Sequence, residues 1–566
     1  MQEPTADEPL ERFRDARGAR WVAVASFASE LRERVLPALD ALLADPPAPA
    51  WAELVKQSHY RRVVRLELPG GAVFLKAHAI GHPGRRFGQR AFGTRGENEW
   101  AKTRLLRSLG IATPRPLAAG ALQRGLGLAR SYYLSAEVPS PRTLTAALQT
   151  EASASQRAAW LGALGEDLAV LHRHRLHHRD LHGNNVLLSP ASDRPVLLDL
   201  HSLWRVPLLP PWSRLRSIAK LLASLDDELE MGEDEVFLRA YLGAEAVGDQ
   251  LEALLARARC RARAVRDEHW GSRVRRALTG GSKIARTKSS LGRSWRVAEL
   301  AAETPERWFA EALAARGVAV LKDEAARGKV VRLASDAGPL IAKLELSTGL
   351  DARGRVGFGR SRARRAWLAA HGLKLRKVAC PAPLALLERS NGETLFAMRE
   401  IEGATSFEGF AAQHAVHLPP EERRSLVDAL ASFVARVHER GGHHDDLSAK
   451  NLLLRRAGSS FELYLVDLED FRLGAAPSDE QLVRALGQLN DVPPRAFALR
   501  ERLRFWCGYR RARRLKMEWS AERALLLRID AFTRARVERR EGRWRAEGRS
   551  GFEAGYFPAR TRGASP

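Results

Sequence analysis

Two stretches of nearly the same sequence decide how this chain is organised. HHRDLHGNNVLLS occupies residues 177–189, and HHDDLSAKNLLLR occupies residues 443–455. Each contains an Asp, an Asn five residues later, and then a short apolar run. Asp and Asn are common turn formers, so the spacing alone carries little information. Its repetition inside a matching context indicates that a larger unit is duplicated.

Other landmarks repeat at the same distance along the chain. Four pairs share an offset of 266 to 268 residues: Lys76 and Lys343, Trp100 and Trp367, Asp180 and Asp446, and Asp199 and Asp467. A constant offset over so many residues predicts a tandem duplication of a whole domain.

Each unit has the same predicted order of elements. In the first unit, residues 60–78 form an extended run with a Pro-Gly-Gly turn, which predicts a hairpin. A helix is predicted from about 97 to 109, a strand at 131–139, and an amphipathic helix at 156–172. The repeated stretch and two further strands follow. We therefore expect a small β-rich lobe followed by a larger helical lobe.

The predicted fold class is α+β, with two tandem bilobal domains joined by a basic connector. The predicted divisions are an N-terminal helix and linker at 1–50, the first domain at 51–255, the connector at 256–300, the second domain at 301–545, and a disordered tail at 546–566.

The composition narrows the class of protein. Three cysteines lie far apart with no CxxC pair, which argues against a zinc site or a disulfide framework. Acidic residues near the start and the lack of a long apolar run predict neither a signal peptide nor a membrane span, so we expect a cytoplasmic protein.

The net charge is strongly positive. It amounts to +25, which favours polyanionic partners unless it reflects composition bias alone. The basic connector carries Trp270 and Trp295, which could lie against anionic lipid; the alternatives are a simple bridge and, last, nucleic acid.

Five residues of the first unit match the needs of phosphoryl transfer. A strand lysine, Lys76, would steady the phosphates, and a helix glutamate, Glu99, would hold that lysine. Asp180 would receive the proton of the attacking hydroxyl. Asn185 and Asp199 offer oxygen atoms of the kind that Mg²⁺ prefers. Glu97 is an alternative to Glu99, but the shared tryptophan register favours Glu99.

These residues carry a resemblance to a known family. HRDLHGNN followed by LLDL, with a strand lysine and the helix segment NEW, resembles the protein-kinase-like superfold. RGENEW and GIATPRPLA resemble more closely the bacterial lipopolysaccharide core kinases, which phosphorylate Kdo or heptose of the inner core. The resemblance covers about 54–242 and, more weakly, about 318–489.

The resemblance implies roles for individual residues. Asp180 would be the catalytic base, Asn185 and Asp199 the magnesium ligands, and Lys76 and Glu99 an ion pair, while Glu137 and Val138 would lie at the hinge that meets adenine. No glycine-rich phosphate loop, APE motif or long activation segment is visible. Their absence favours a kinase of a small molecule or glycan over a protein kinase.

The second unit retains part of the set. Asp446 would be its base, Asn451 and Asp467 its metal ligands and Lys343 its strand lysine, but Ala366 stands at the position of Glu99 and Asp445 at that of the HRD arginine. An unpaired buried ammonium is costly, so we predict a degenerate second domain. An acid from elsewhere, such as Glu345, is the alternative.

Arginine runs precede the helix in both units. They comprise Arg85, Arg86, Arg90 and Arg95 in the first unit, and Arg353, Arg355, Arg360, Arg362, Arg364 and Arg365 in the second. Such a run is either a solvated face or a contact for an anionic glycolipid, because guanidinium groups bind phosphate well.

The sequence therefore predicts a kinase that uses ATP and Mg²⁺, with a sugar hydroxyl of a lipopolysaccharide core precursor as acceptor. Its expected partners are an anionic glycolipid or sugar substrate and, peripherally, the anionic inner leaflet of the membrane; nucleic acid is not expected. The alternatives are a Ser/Thr/Tyr protein kinase and a non-catalytic pseudokinase scaffold that binds polyanions.

Overall fold

The computed structural model places most of the chain. It describes residues 8–58, 60–79, 93–124, 127–150, 152–190, 192–243, 248–300, 303–314, 319–323, 328–336, 338–474, 476–492 and 496–548. The chain divides into two units, Met1–Arg266 and Asp267–Pro566. Arg85, Arg86 and Arg90 of the first arginine run, and most of the predicted tail, lie outside the described residues.

The first unit combines three antiparallel sheets with helices. Its strands are β1 Leu10–Arg14, β2 Arg20–Val24, β3 Ala52–Ser58, β4 Arg61–Leu68, β5 Gly71–Ala79, β6 Pro116–Arg124, β7 Gly127–Ala136, β8 Arg142–Thr143, β9 Leu176–His178, β10 Val186–Ser189, β11 Ser192–Leu197 and β12 Leu203–Arg205. Its helices are α1 Ala25–Glu30, α2 Leu39–Leu42, α3 Arg95–Ser108, α4 Leu144–Leu148, α5 Ala154–Arg173, α6 Pro211–Ser224, α7 Glu233–Leu242 and α8 Gly248–Arg276, the last of which ends in the second unit.

The second unit is built in the same way. Its strands are β13 Ile284–Ser289, β14 Gly292–Val297, β15 Ala319–Asp323, β16 Gly328–Leu333, β17 Leu340–Glu345, β18 Pro383–Arg389, β19 Thr394–Arg399, β20 Ala404–Ser406, β21 Gly442–His444, β22 Leu452–Ala457, β23 Ser460–Leu465 and β24 Phe471–Leu473. Its helices are α9 Pro305–Ala314, α10 Leu350–Gly357, α11 Arg362–Leu375, α12 Phe407–Gln413, α13 Pro420–Glu439, α14 Asp479–Leu489, α15 Leu499–Ala512 and α16 Trp519–Ala546.

The sheets of the two units have matching strand orders. The large sheets run β1-β2-β6-β7-β5-β4-β3 and β13-β14-β18-β19-β17-β16-β15. In each unit one cluster of buried apolar side chains covers the large sheet and another lies among the helices. Both units therefore have a mixed fold of antiparallel sheets and many helices, as predicted. Among the described helices, none has the length and apolar composition that crossing a membrane requires.

Two details of the N-terminal and connecting segments differ from the prediction. The helix predicted within 1–50 is preceded by the strands β1 and β2, of which β2 pairs with β6, and the chain becomes helical only from Ala25. In the segment 256–300, strand β14 pairs with β18 and so belongs to the second large sheet. The expectation that Trp270 and Trp295 contact lipid is wrong, because they are 8% and 2% exposed.

Candidate active site

A lysine on the first large sheet forms an ion pair with a buried glutamate. Lys76 lies in β5, opposite Val63 of β4 and Tyr133 of β7. Its Nζ lies 2.5 Å from Oε1 of Glu99, whose side chain is 3% exposed. The Lys76 ammonium also lies 5.5 Å from the centre of the Tyr133 ring. Burial strengthens this contact, because little water competes with either charge.

The start of helix α3 explains why Glu99, and not Glu97, meets the lysine. Thr94 caps the helix and forms a capping box with Glu97, whose carboxylate accepts from the Thr94 backbone N–H at 3.0 Å. Two residues later the helix turns Glu99 inward. Gly96 permits this packing, since a Cβ there would lie 2.1 Å from the carbonyl oxygen of Tyr132.

The loop that follows β9 presents an Asp and an Asn. Asp180 donates its backbone N–H to Nδ1 of His178 at 3.3 Å, and burial lowers the pKa of His178 to about 4, which keeps its ring neutral. Asn185 donates its side-chain amide to the backbone carbonyl of Asp180 at 2.9 Å. The Asp180 carboxylate itself is 62% exposed. The loop thus holds its own shape and leaves this carboxylate open to a substrate.

Asp199 lies beside the same loop and faces the large sheet. It adopts a left-handed backbone conformation at φ 58°, and its Oδ1 meets Nδ1 of His201 at 2.9 Å and Nη1 of Arg61 at 3.3 Å. Burial opposes ionisation of Asp199, but the His201 hydrogen bond and the charges of Arg61, His201 and Lys76 hold its pKa well below the usual range. Asp199 and the Lys76 ammonium are therefore close enough to interact electrostatically.

The predicted hinge residues follow β7. The Glu137 side chain accepts from Nε and Nη2 of Arg65 at 2.9 and 2.8 Å, and its backbone N–H donates to Ala72 at 2.8 Å. Val138 is half-buried next to it. Any ligand contact at Glu137 would involve its backbone carbonyl, because the side chain and the amide already have partners.

In the second unit the strand lysine has a different partner. Lys343 of β17 contacts the carboxylate of Asp467 and lies 3.3 Å from Oε2 of Glu469. The burial that would lower the pKa of Lys343 is outweighed by these two charges, and its pKa is raised. The alternative partner Glu345 instead lies 3.6 Å from Arg355. Buried Ala366 stands where the first unit has its glutamate.

The exchange of partners has a simple cause. Gly328 occupies the position of Arg61 and Glu469 that of His201, so both groups that engage Asp199 in the first unit are missing in the second. Asp467 has the same left-handed backbone, at φ 61°. Asp467 therefore lacks the partners that Asp199 has, and Lys343 lacks the glutamate that Lys76 has. The two side chains pair with one another instead.

The predicted base of the second unit also differs from its counterpart. Asp446 lies 2.9 Å from Nζ of Lys450 and 3.6 Å from Nη2 of Arg536, which belongs to the C-terminal helix α16. Asn451 bonds the Asp446 backbone as in the first unit, at 2.8 Å. Asp445 contacts Nε of Arg472 at 2.9 Å, so its negative charge is compensated.

Some of these groups could not be found from the sequence. Arg61, His201 and Glu469 were not singled out, although aligning the two units shows Glu469 opposite His201. Arg536 gives no signal in the sequence, because it is far from Asp446 along the chain and no motif connects the two residues. The sequence predicted Lys76, Glu99, Asp180, Asn185 and Asp199; the structure pairs Lys76 with Glu99 and Asn185 with Asp180, and it places Asp199 within electrostatic reach of Lys76.

The comparison with known proteins now bears on this geometry. The sequence model of the Lipopolysaccharide kinase (Kdo/WaaP) family matches residues 85–212 and 350–491, once in each unit. Each unit is therefore similar to that family over its matched segment. The matched segments contain Glu99, Asp180 and Asp199 in the first unit and Asp446 and Asp467 in the second.

Individual relatives cover less of the molecule. The chain is 35% identical over 98 residues to a 3-deoxy-D-manno-octulosonic acid kinase of Actinobacillus succinogenes, a match that takes in 17% of this chain and 40% of the relative. The solved structure of WaaP in complex with acyl carrier protein aligns with 44% of this chain and 99% of its own, at 22% identity and a TM-score of 0.34.

Proposed function

We propose that the protein is an ATP- and Mg²⁺-dependent kinase of the lipopolysaccharide core, with the first unit as its catalytic centre. The acceptor is a sugar hydroxyl of a core precursor. The observation that carries this proposal is the buried Lys76–Glu99 pair, which stands electrostatically coupled to Asp199 beside the open Asp180 carboxylate. The match of both units to the lipopolysaccharide kinase family supports the choice of acceptor.

Each unit is proposed to be a bilobal kinase-like domain. The large sheet with α3, or with α11 in the second unit, forms the first lobe, and the remaining helices and small sheets form the other. The adenine of ATP would meet the backbone of Glu137 and Val138, which follow directly after the last residue of β7. The divisions at 51–255 and 301–545 remain predictions.

The roles in the first unit follow from the contacts. Asp180 accepts the proton of the sugar hydroxyl as that oxygen bonds to the γ-phosphorus and the bond from phosphorus to the β,γ-bridging oxygen breaks. Lys76, fixed by Glu99, neutralises charge on the phosphates. His178 keeps the Asp180 backbone in place, and a neutral ring is required for Nδ1 to accept that hydrogen bond.

The donor set fits Mg²⁺. Asp199 supplies a carboxylate whose two observed contacts both fall on Oδ1, which leaves Oδ2 for a cation. Asn185 uses its amide nitrogen on Asp180, so its amide oxygen is available. Mg²⁺ prefers one or two protein oxygens completed by phosphate and water. When bound, it would neutralise charge on the triphosphate.

A surface next to the catalytic loop fits contact with an anionic membrane. Trp204 in β12 pairs with His177 of β9, three residues before Asp180. Trp204, Leu208 and Trp212 are 49%, 76% and 68% exposed. Segment 201–220 contains no acidic residue. Its cations lie close together, since the charges of Arg179, Lys220 and Arg216 all act on His177.

Aromatic side chains surrounded by cations are typical of proteins that bind lipid headgroups. We name this surface the tryptophan patch, with members Trp204, Leu208, Trp212, Arg179, Arg216 and Lys220. Trp212, Arg216 and Lys220 recur every four residues on α6 and so share one helix face. The tryptophan patch would hold the first unit against the leaflet that carries the acceptor.

The catalytic assignment is tested by replacing Asp180 with Asn in the full chain. We expect the rate of phosphate transfer from labelled ATP to core glycolipid to fall by about 10²- to 10⁴-fold, because the proton acceptor is lost, with unchanged thermal unfolding. Asp446→Asn is the matched control and should retain the rate. Transfer to general protein acceptors instead of glycolipid would favour a protein kinase, and unaltered turnover in Asp180→Asn would refute the assignment.

Membrane contact is tested by sedimentation with vesicles. Trp212→Ala combined with Leu208→Ser should weaken binding to vesicles rich in phosphatidylglycerol at least several-fold, since burial of apolar surface is lost. Trp519→Ala, an equally exposed tryptophan of the second unit, is the control. Equal loss in both variants would remove the reason for placing the contact at the tryptophan patch.

A further inference from the structure

The second unit contains a wide, cationic cleft, although its predicted catalytic set lacks the helix glutamate. The cleft has a volume of about 1070 Å³ and lies between the large sheet, helix α11 and the loop that carries Asn451. Eight Lys and Arg side chains line it, against four Asp and Glu side chains. Such an excess of positive charge in a concave site attracts anions.

Three of the four acids that line this cleft are paired with cations. Asp467 and Glu469 hold Lys343, and Glu345 lies 3.6 Å from Arg355. Asp467 is the carboxylate that a divalent cation would need, and it pairs directly with the Lys343 ammonium, whereas in the first unit the strand lysine pairs with Glu99. The second cleft therefore presents a neutralised carboxylate and fits Mg²⁺ less well than the first.

Position 328 reinforces this difference. A side chain at Gly328 would place its Cβ 2.4 Å from the carbonyl oxygen of Leu344, so the strand has no room for the cation that Arg61 supplies in the first unit. Lys343 thus takes over the neutralisation of Asp467. Among the described residues, no other cation takes the place of Lys343 at the Asp467 carboxylate.

Several cations of the cleft are uncompensated. Within the part of the chain that the structure describes, Arg360, Arg362 and Arg365 form no ion pair. The Nε of Arg365 is buried and makes no hydrogen bond in the described structure. Arg365 is the neighbour of Ala366 and lies where the first unit has Asn98. A half-buried guanidinium that forms no ion pair can bind an anion, because guanidinium forks bind phosphate oxygens in pairs.

We propose that the second unit binds the polyphosphate group of an anionic ligand in this cleft without a divalent metal, and that it transfers no phosphoryl group. Arg360, Arg362 and Arg365 would take the place of the metal in neutralising the phosphates. The charge of Asp446 is compensated by Lys450 and Arg536. The inference goes beyond the proposed catalytic function of the first unit and does not depend on it.

The test compares ATP binding to the full chain with and without metal. With EDTA, equilibrium dialysis should find one ATP per chain, with a Kd that stays within about threefold of its value for the same site in Mg²⁺. Inorganic tripolyphosphate should displace this ATP, because the phosphates carry the contact. Absence of EDTA-resistant binding, or ATP that tripolyphosphate leaves bound, would overturn the proposal.

Variants assign the site. Arg360→Ala combined with Arg362→Ala changes two exposed side chains and should weaken EDTA-resistant binding at least tenfold, and Arg365→Ala should do the same. Arg353→Ala is the control, since that side chain contacts the Asn391 carbonyl and does not line the cleft. If Arg353→Ala weakens binding as strongly, or if the cleft variants do not, the proposal fails.

The first unit provides an independent readout. Lys76→Met should abolish Mg²⁺-dependent turnover and leave EDTA-resistant binding unchanged. Normal turnover without EDTA-resistant binding would refute the second site alone. EDTA-resistant binding without turnover in the unmodified chain would instead refute the catalytic proposal alone.

Discussion

The buried pair of Lys76 and Glu99 allows a sharp test of the site. We expect Glu99→Gln to lower the free energy of unfolding of the first unit, because a Lys76 side chain that is 14% exposed would keep its charge and lose its carboxylate. Breaking a buried ion pair by removal of one partner costs about 3–5 kcal/mol. The residual exposure of Lys76 and the nearby charge of Asp199 reduce the penalty, so the expected loss is about 2–3 kcal/mol.

Catalysis should suffer as well. Without Glu99 the ammonium is free to reorient toward Asp199, so we expect turnover of ATP to fall at least tenfold. The unfolding free energy is measured by urea denaturation followed through tryptophan fluorescence, and turnover by release of labelled phosphate. Glu97→Gln is the matched control, since glutamine also completes a capping box and should change either quantity little.

A double variant separates loss of charge from loss of packing. Lys76→Met combined with Glu99→Leu removes both charges, and such replacements are often neutral or stabilising. We expect it to recover most of the stability lost in Glu99→Gln while remaining inactive. The reasoning would be refuted if Glu99→Gln changed stability by less than about 0.5 kcal/mol, the range of an ordinary surface substitution, or matched Glu97→Gln.

Three further predictions concern packing and pH. Arg157→Met should destabilise the first unit by about 3–5 kcal/mol in thermal unfolding, since it strands the partly buried Glu233 carboxylate, 2.6 Å from Arg157; a change below about 1 kcal/mol would contradict this. Gly96→Ala should lower stability by about 1–3 kcal/mol and reduce turnover, because its Cβ would overlap the Tyr132 carbonyl. Burial lowers the pKa of His178 to about 4 and of His438 to about 3, so the unfolded chain binds more protons below about pH 6.5, and stability should fall as pH drops from 6.5 toward 4. Constant or rising unfolding free energy between pH 7 and 5 would contradict this assignment.

Local patterns in the sequence were enough to predict the first site. The strand lysine, the helix glutamate and the Asp-x4-Asn loop each lie in a short element, and the duplication gave each position a counterpart for comparison, with Ala366 at that of Glu99. The shared register of Trp100 and Trp367 distinguished Glu99 from Glu97 because both tryptophans are buried on the same face of corresponding helices.

Non-local pairing was the part that the sequence could not supply. Segment 20–44 has helical composition, yet Arg20–Val24 forms a strand because β6, almost a hundred residues later, offers an edge to pair with. The sequence suggested a lipid contact for Trp295, but the pairing of β14 with β18 places this side chain in the core. The Arg61–Asp199 contact likewise joins residues with no shared motif.

The comparison of the two units shows that the absence of one carboxylate changes the ion pairs of several neighbouring residues. A lysine buried on a sheet must have an anion nearby, and when the helix offers Ala366 the nearest remaining anion is the strand-end Asp467. That contact is possible only because Arg61 has no counterpart at position 328 to compete for it. The pairing with Asp467 avoids the cost of an unpaired ammonium at Lys343, but it occupies the carboxylate that metal binding would use. The absence of the helix glutamate and the proposed absence of metal binding therefore have one physical cause, and the arginines of α11 remain as the charges that a phosphate would meet.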